Sequence, residues 1–306
     1  MGIADTIRWA KNEWGILAKG DQMTLGDRAR WLSQWVPFGA RTVLYGSASL
    51  MFGPLTADHR ASLWAMKQWS KSSLRGLKIP YEVEGAHLVP AGGLMYATNH
   101  QSLVDILVLG AALPGNIKWA TKRSIMKVPF LGWHLQLSGH VPVDRKAGNR
   151  AAAQAIQRFR RVLEDENQLL IFPEGTRTPD GEVKDFKNGG FYAAVRADKP
   201  VVPVALDGTY FLMGKHAVDT GDAHDLDKRL VRVSIGEPLY PLKEGKEKHR
   251  VADLRDRTRA AVVEMHAALR AASPWTAEEW RDAYASEQRA PDGQAADNRT
   301  RVAERP

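Results

Sequence analysis

His100 and Asp105, five positions apart in Asn99-His100-Gln101-Ser102-Leu103-Val104-Asp105, are the residues best suited to chemistry in this sequence. An imidazole serves as a general base near neutral pH when a carboxylate holds one ring nitrogen, fixes the tautomer and stabilises the imidazolium formed on proton abstraction. On an unbroken helix five positions turn the chain by roughly 500°, so the two side chains would diverge and the pair needs a bend between them. The local pattern offers one. Leu94 to Thr98 reads as a short buried strand, Asn99 to Ser102 carries turn and cap residues, and Ile106 to Ala112 suits a helix. The same residues also fit a plain helix start, with Ser102 and Asp105 as a capping box and His100 as an ordinary loop residue.

A second group follows the apolar run Leu169-Leu170-Ile171-Phe172, where Pro173 and Gly175 bracket Glu174 in a tight bend and Thr176 and Arg177 come next. A carboxylate can hold a polyol there and a forked guanidinium can hold a phosphate; a local ion pair on a surface loop is the plainer alternative. Between the two groups, Gly139-His140-Val141-Pro142-Val143-Asp144-Arg145 reads as a strand that ends in another arginine. Farther on, Val202-Pro203-Val204 is apolar with an internal proline, which places that strand at a sheet edge or at a bulge.

To position these groups the chain needs a sheet whose strand ends converge. Candidate strands occur at Tyr81 to Val83, Leu94 to Thr98, Ile117 to Ala120, His140 to Val143, Gln168 to Phe172, Val201 to Leu206 and Val231 to Ile235. Helical spacing links Ala152, Ile156, Phe159 and Leu163, and again Val251, Leu254, Thr258, Ala261, Met265 and Leu269. Strand and helix alternate, so the expected fold is α/β, a mixed central sheet with helices on both faces. In such a sheet, functional groups collect where strands end and loops begin.

Three regions are expected: a helical 1–79 broken by Gly20, Pro37 and Pro54, a catalytic 80–285, and a disordered 286–306 with only Val302 as a sizeable apolar residue. Residues 1–79 hold eleven Lys and Arg against five Asp and Glu, a net +6 of the chain's +8, and six of its ten tryptophans: Trp9, Trp14, Trp31, Trp35, Trp64 and Trp69. Cations mixed with indole suit an anionic membrane surface; several of the tryptophans could instead fill a small helical core. No nucleic-acid-binding signature accompanies the charge, so no nucleic-acid partner is expected.

The uncharged stretch from Thr42 to Ala57 falls short of the ~20 residues that span a bilayer. Val43, Leu44, Leu50 and Met51 share one helical face, so peripheral or monotopic attachment on the cytoplasmic side of the cell membrane is expected. Asp5 and Glu13 interrupt any secretory signal. With no cysteine, the chain has no disulfide, thiolate metal site or thiol nucleophile, and fits a reducing compartment.

Taken together, Asn99-His100 with Asp105, Gly139 through Arg145, Phe172 through Arg177 and Val202-Pro203-Val204 resemble, in order and spacing, the four sequence blocks of the glycerolipid acyltransferases. The bacterial 1-acyl-sn-glycerol-3-phosphate acyltransferases are the branch most similar in pattern. Lys122 through Trp133 and Phe186-Lys187-Asn188-Gly189 resemble that branch too, and the likeness covers roughly residues 79–206. Ser124-Ile125 departs from the family's usual Glu-Leu, and Pro142 from a usual apolar or aromatic residue.

The resemblance implies transfer of a fatty acyl group from acyl-CoA or acyl carrier protein to the sn-2 hydroxyl of lysophosphatidic acid, without a metal or other cofactor. It implies His100 as general base, Asp105 as its orienting carboxylate, Lys122, Arg145 and Arg177 on the acceptor phosphate, and Glu174, with Gly175 and Thr176, on the glycerol. Another lysolipid, such as lyso-ornithine lipid, is an alternative acceptor, and a noncatalytic membrane-binding role is a further alternative. Ser102 lacks the Gly-x-Ser-x-Gly setting of a nucleophilic serine.

Overall fold

Every residue of two strands, Leu94–Thr98 and Val201–Asp207, is buried, so neither side of the sheet they belong to faces water. That explains why both read as continuous apolar runs rather than as alternating ones. The computed structural model describes residues 25–56, 59–144, 148–213 and 229–275. Its strands are β1 (Tyr81–Glu84), β2 (Leu94–Thr98), β3 (Ile117–Lys122), β4 (Val141–Val143), β5 (Gln168–Ile171), β6 (Val201–Asp207) and β7 (Val231–Ile235).

They form one sheet in the order β1-β7-β6-β2-β5-β3-β4. The ladder from β6 to β4 is parallel, whereas β7 runs antiparallel to β6 and carries β1 parallel to itself. The sheet is therefore mixed, as expected. All seven strands fall within a few residues of their expected positions. Because β3, β2, β5 and β6 are parallel, their carboxyl ends lie along the same edge.

The helices are α1 (Leu25–Phe52), α2 (Arg60–Gly76), α3 (Asp105–Ala112), α4 (Leu131–Leu137), α5 (Gly148–Glu164), α6 (Gly189–Ala197), α7 (Tyr210–Met213) and α8 (Glu247–Ala271). The sheet's two faces carry separate cores. On one, Tyr96, Leu170 and Val202 pack with Leu109 of α3 and with Met66, Trp69 and Leu74 of α2. On the other, Met95, Leu169 and Val201 pack with Phe159 of α5, Phe191 of α6 and Leu254 of α8. Alternate residues of one strand point to opposite faces, and burying each large apolar side chain contributes about 1.5–3 kcal/mol. The helices before β1 are thus built into the core of the sheet.

Two expectations need correction, and a third is met in only one of its two alternatives. Pro37 does not break a helix, because α1 runs through it. An interior proline costs about 3 kcal/mol. Against that cost, the adjacent Trp35 and Phe38 rings meet edge to face at 5.4 Å, and Phe38 lies 5.7 Å from Trp69 of α2. Pro54 does follow the end of α1.

Pro203 is not on an edge strand, since β6 lies between β7 and β2. It does sit at a bulge: the Val204–Ile235 pair and the Val201–Leu239 bridge are three steps apart on β6 and four on the facing chain. The irregularity falls at the residue that has no N–H to give. On α8 the expected face is partly out of phase. Val251, Leu254, Thr258 and Leu269 are buried, but Val262 and His266 are buried where Ala261 and Met265 were expected.

Trp9, Trp14, Gly20, Arg145, the side chain of Trp31 and the expected 286–306 tail lie outside the described residues. Trp35 and Trp69 line a cavity, and Trp64 is exposed. Among the described residues no helix is long and apolar enough to cross a membrane.

Candidate active site

β2 ends at Thr98 and α3 begins at Asp105, so the intervening turn brings His100 back onto Asp105. His100 Nδ1 lies 2.7 Å from Asp105 Oδ2, with the carboxylate buried and the imidazole 11 % exposed. Asp105 Oδ2 also accepts from the backbone N–H groups of Gln101, at 2.8 Å, and Ser102, at 2.9 Å. The same carboxylate thus holds the backbone just before α3 and the His100 ring, while the Val104 N–H donates to Ser102 Oγ at 3.2 Å.

Three further contacts fix the imidazole and its backbone. The ring stacks on Phe172 with centroids 3.8 Å apart. The His100 N–H donates to Glu174 Oε1 at 2.9 Å, while its carbonyl accepts from the Thr178 N–H at 2.7 Å. The loop after β5 thus clamps His100 from both backbone sides.

That loop turns tightly because the Gly175 N–H donates to the Phe172 carbonyl at 3.0 Å. Gly175 has φ +78°, a conformation that favours glycine, and a Cβ there would lie 2.6 Å from Lys187 Nζ. The Lys187 N–H in turn donates to the Pro173 carbonyl at 2.9 Å, which gives the Phe186-Lys187 segment its role as a backing strap.

Glu174 is buried. Burial pushes its carboxyl up to about 7, and the nearby Asp105 charge adds to the rise, while the His100 and Lys184 backbone donors and the Lys184 charge oppose it. Near neutral pH it can therefore offer a proton to a hydroxyl as well as accept one.

The structure brings His100, Asp105, Glu174 and Gly175 together. Thr176 is exposed and Arg177 half-buried on the same loop, one residue before Thr178. Lys122 is exposed at the carboxyl end of β3, on the same sheet edge but with β5 between it and β2. Arg145 cannot be placed, as it falls outside the described residues. Among the described residues no group of three or more His, Asp or Glu is placed to hold a metal ion.

Sequence reasoning missed Phe172, Gln101 and Thr209 as parts of this site. Thr209 Oγ1 donates to Asp105 Oδ1 at 2.5 Å and lies 3.3 Å from Gln101 Oε1. Gln101 Nε2 lies 3.0 Å from His266 Nε2 and 3.3 Å from Asp207 Oδ1. Thr209 had a readable signal: it follows Asp207-Gly208 directly after an apolar strand, where functional groups collect.

A cavity of about 160 Å³ opens beside the site on the α1–α2 side of the sheet. Leu103 and Val104, from between His100 and Asp105, form part of its wall, with Phe38, Met66, Trp69, Trp119 and Leu131. Gly46 of α1 lies where a Cβ would come within 2.8 Å of the Phe130 Cβ, so this glycine permits close approach of helix and loop along the cavity.

A carboxylate-oriented histidine thus lies beside a buried acid, with an apolar cavity at hand. Residues 80–207 match the family model described as Acyltransferase. The chain is 28 % identical to the 1-acyl-sn-glycerol-3-phosphate acyltransferase of Pseudomonas aeruginosa over 75 % of this chain and 87 % of that one. It is 33 % identical to the chloroplastic enzyme BAT2 of Brassica napus, of the same name, over 52 % of this chain and 45 % of that one. The chain thus spans less than half the length of such chloroplastic relatives. The crystal structure of the 1-acyl-sn-glycerophosphate acyltransferase PlsC from Thermotoga maritima superposes with a TM-score of 0.64 at 25 % identity, covering 80 % of this chain and 95 % of that one.

Proposed function

We propose that the protein transfers a fatty acyl group from a thioester, acyl-CoA or acyl-acyl carrier protein, to the sn-2 hydroxyl of 1-acyl-sn-glycerol-3-phosphate, giving phosphatidic acid. The observation that carries this is the 2.7 Å contact between His100 Nδ1 and the buried Asp105, which suits Nδ1–H as the donor to the carboxylate and Nε2 as the base. His100 Nε2 takes the hydroxyl proton as the oxygen attacks the thioester carbonyl. The tetrahedral intermediate then collapses, the C–S bond breaks, and the departing sulfur takes the proton back from the imidazolium. An ester forms and a thiol leaves, with no acyl-enzyme.

Glu174, near its own midpoint at neutral pH, binds a glycerol hydroxyl, and Arg177 pairs with the phosphate, with Lys122 and Arg145 as further cations for it. The apolar cavity walled by Leu103 and Val104 takes an acyl chain. Relatives named as 1-acyl-sn-glycerol-3-phosphate acyltransferases support the choice of acceptor.

The protein acts at the cytoplasmic face of the cell membrane as a peripheral or monotopic enzyme. Leu32, Val36, Val43, Leu44 and Met51 are exposed along α1, as are Phe52 and Leu55 at its exit, Trp64 on α2 and Trp133 on α4. Such a surface suits an apolar lipid interface.

Thiol release from an acyl thioester tests the reading directly, and a chain without cysteine adds no background. Release should depend on lysophosphatidic acid. Release that follows lyso-ornithine lipid or lysophosphatidylcholine instead would reassign the acceptor, and release with none of the three would remove the activity.

A further inference from the structure

Asp105 uses its two oxygens differently. Oδ2 faces His100 and two backbone N–H groups, whereas Oδ1 receives the Thr209 hydroxyl at 2.5 Å. Both residues are fully buried. Thr209 reaches this position from the turn after β6, where Gly208 adopts φ +98°. A threonine hydroxyl has one proton, and the two acceptors near it are Asp105 Oδ1 and, at 3.3 Å, Gln101 Oε1. The shorter contact to the charged oxygen takes it.

We propose that Thr209 is a positioning residue for the His100–Asp105 pair: its proton locks the carboxylate rotamer that points Oδ2 at the imidazole and draws charge from it, setting the orientation and basicity of His100. This rests on His100 being the general base. Without the donor, more negative charge stays on Asp105 and the imidazolium is better stabilised, so the His100 titration moves to higher pH. The carboxylate also gains freedom to turn, so turnover falls.

Thr209 further connects the pair to the buried polar group behind it, since Gln101 spans from Thr209 to Asp207 and His266. The Asp207 carboxyl is pushed up by burial, but His266, Arg270 and Gln101 together hold it below the ordinary value. Among the described residues, Glu174 and Lys184, on the loop after β5, are further charged groups near the pair. None of these five is altered when Thr209 is replaced, so a shift between variants reports the missing hydroxyl.

The test uses full-length protein carrying Thr209→Val, Thr209→Ser or Thr209→Cys. The His100 ring is titrated by NMR without substrate, its signals assigned with His100→Gln. Thr209→Val should raise the His100 midpoint by at least about half a pH unit. It should lower kcat by on the order of tenfold or more, with both KM values within about threefold. Thr209→Ser should restore both. A folded Thr209→Val variant whose His100 titration is unmoved overturns the inference, whether or not kcat falls. If the valine variant does not fold, the cysteine variant, a weaker donor, must shift in the same direction relative to serine, and equal midpoints overturn it. Because the titration needs no turnover, failure of the acyl-transfer reading, seen as no thiol release by the unsubstituted protein, is distinct from failure of this one.

Discussion

Asn99 and Leu206 exchange two hydrogen bonds of 2.9 Å: Asn99 Nδ2 donates to the Leu206 carbonyl, and the Leu206 N–H donates to Asn99 Oδ1. A side-chain amide thus continues the β2–β6 pairing beyond the last paired residues and fixes where the chain leaves the sheet, one residue before His100. Asn99→Ala would leave the buried Leu206 groups without this partner. It should destabilise the protein by about 1–3 kcal/mol in urea unfolding and lower turnover as His100 loses its anchor.

Two buried groups give opposite pH dependences of stability. Glu174 has its carboxyl raised to about 7, so the folded protein binds a proton more tightly than the unfolded chain between about 4.5 and 7, and stability falls as pH rises through that window. His134, buried on α4, is lowered to about 4 by burial and by Lys118, so the unfolded chain binds the extra proton between 6.5 and 4, and stability falls as pH drops. Removing one should unmask the other. In urea unfolding at pH 5 and pH 7, Glu174→Gln should steepen the rise of stability with pH, and His134→Gln should flatten or reverse it. Identical changes in slope for both variants would show that these two groups do not set the dependence.

The seven strands were legible because each is a short apolar run bounded by turn residues, and the His100–Asp105 pairing because a turn separates the two. Less legible were features set by distant packing. Pro37 stays in a helix through the Trp35, Phe38 and Trp69 cluster, and His266 is buried because Asp207 and Gln101 lie beneath it, relationships that span more than a hundred residues of chain in the latter case. Phe172 read as the end of a strand, yet its ring is what His100 stacks on. Local pattern carries no signal for such a contact.

Phosphate recognition by Arg177 depends on the planar fork of its side chain. Arg177→Ala should raise the KM for lysophosphatidic acid by on the order of tenfold or more while the thioester KM stays nearly constant, and Arg177→Lys should recover only part of the loss. Acceptor and donor KM values measured for the three proteins decide this. An unchanged acceptor KM in the alanine variant would move the phosphate to other cations.

Membrane docking should combine an apolar and an electrostatic part. Val43, Leu44 and Met51 are exposed on α1, so Leu44→Asp with Met51→Asp should sharply weaken sedimentation with anionic vesicles while leaving the folded core intact. Added salt should weaken binding of the unsubstituted protein without abolishing it, since screening acts over about 10 Å at 0.1 M and leaves the apolar part. Unchanged sedimentation of the double variant would assign docking to another surface.

The most direct test of the account is the yield of phosphatidic acid and free thiol from lysophosphatidic acid and an acyl thioester, followed together for the unsubstituted protein and for His100→Ala. The two products should form in equal amounts, and His100→Ala, shown to be folded by its unfolding curve, should turn over on the order of 10² to 10⁴ times more slowly. A folded His100→Ala protein that keeps near-normal turnover would contradict the claim that His100, held by Asp105, is the base for acyl transfer.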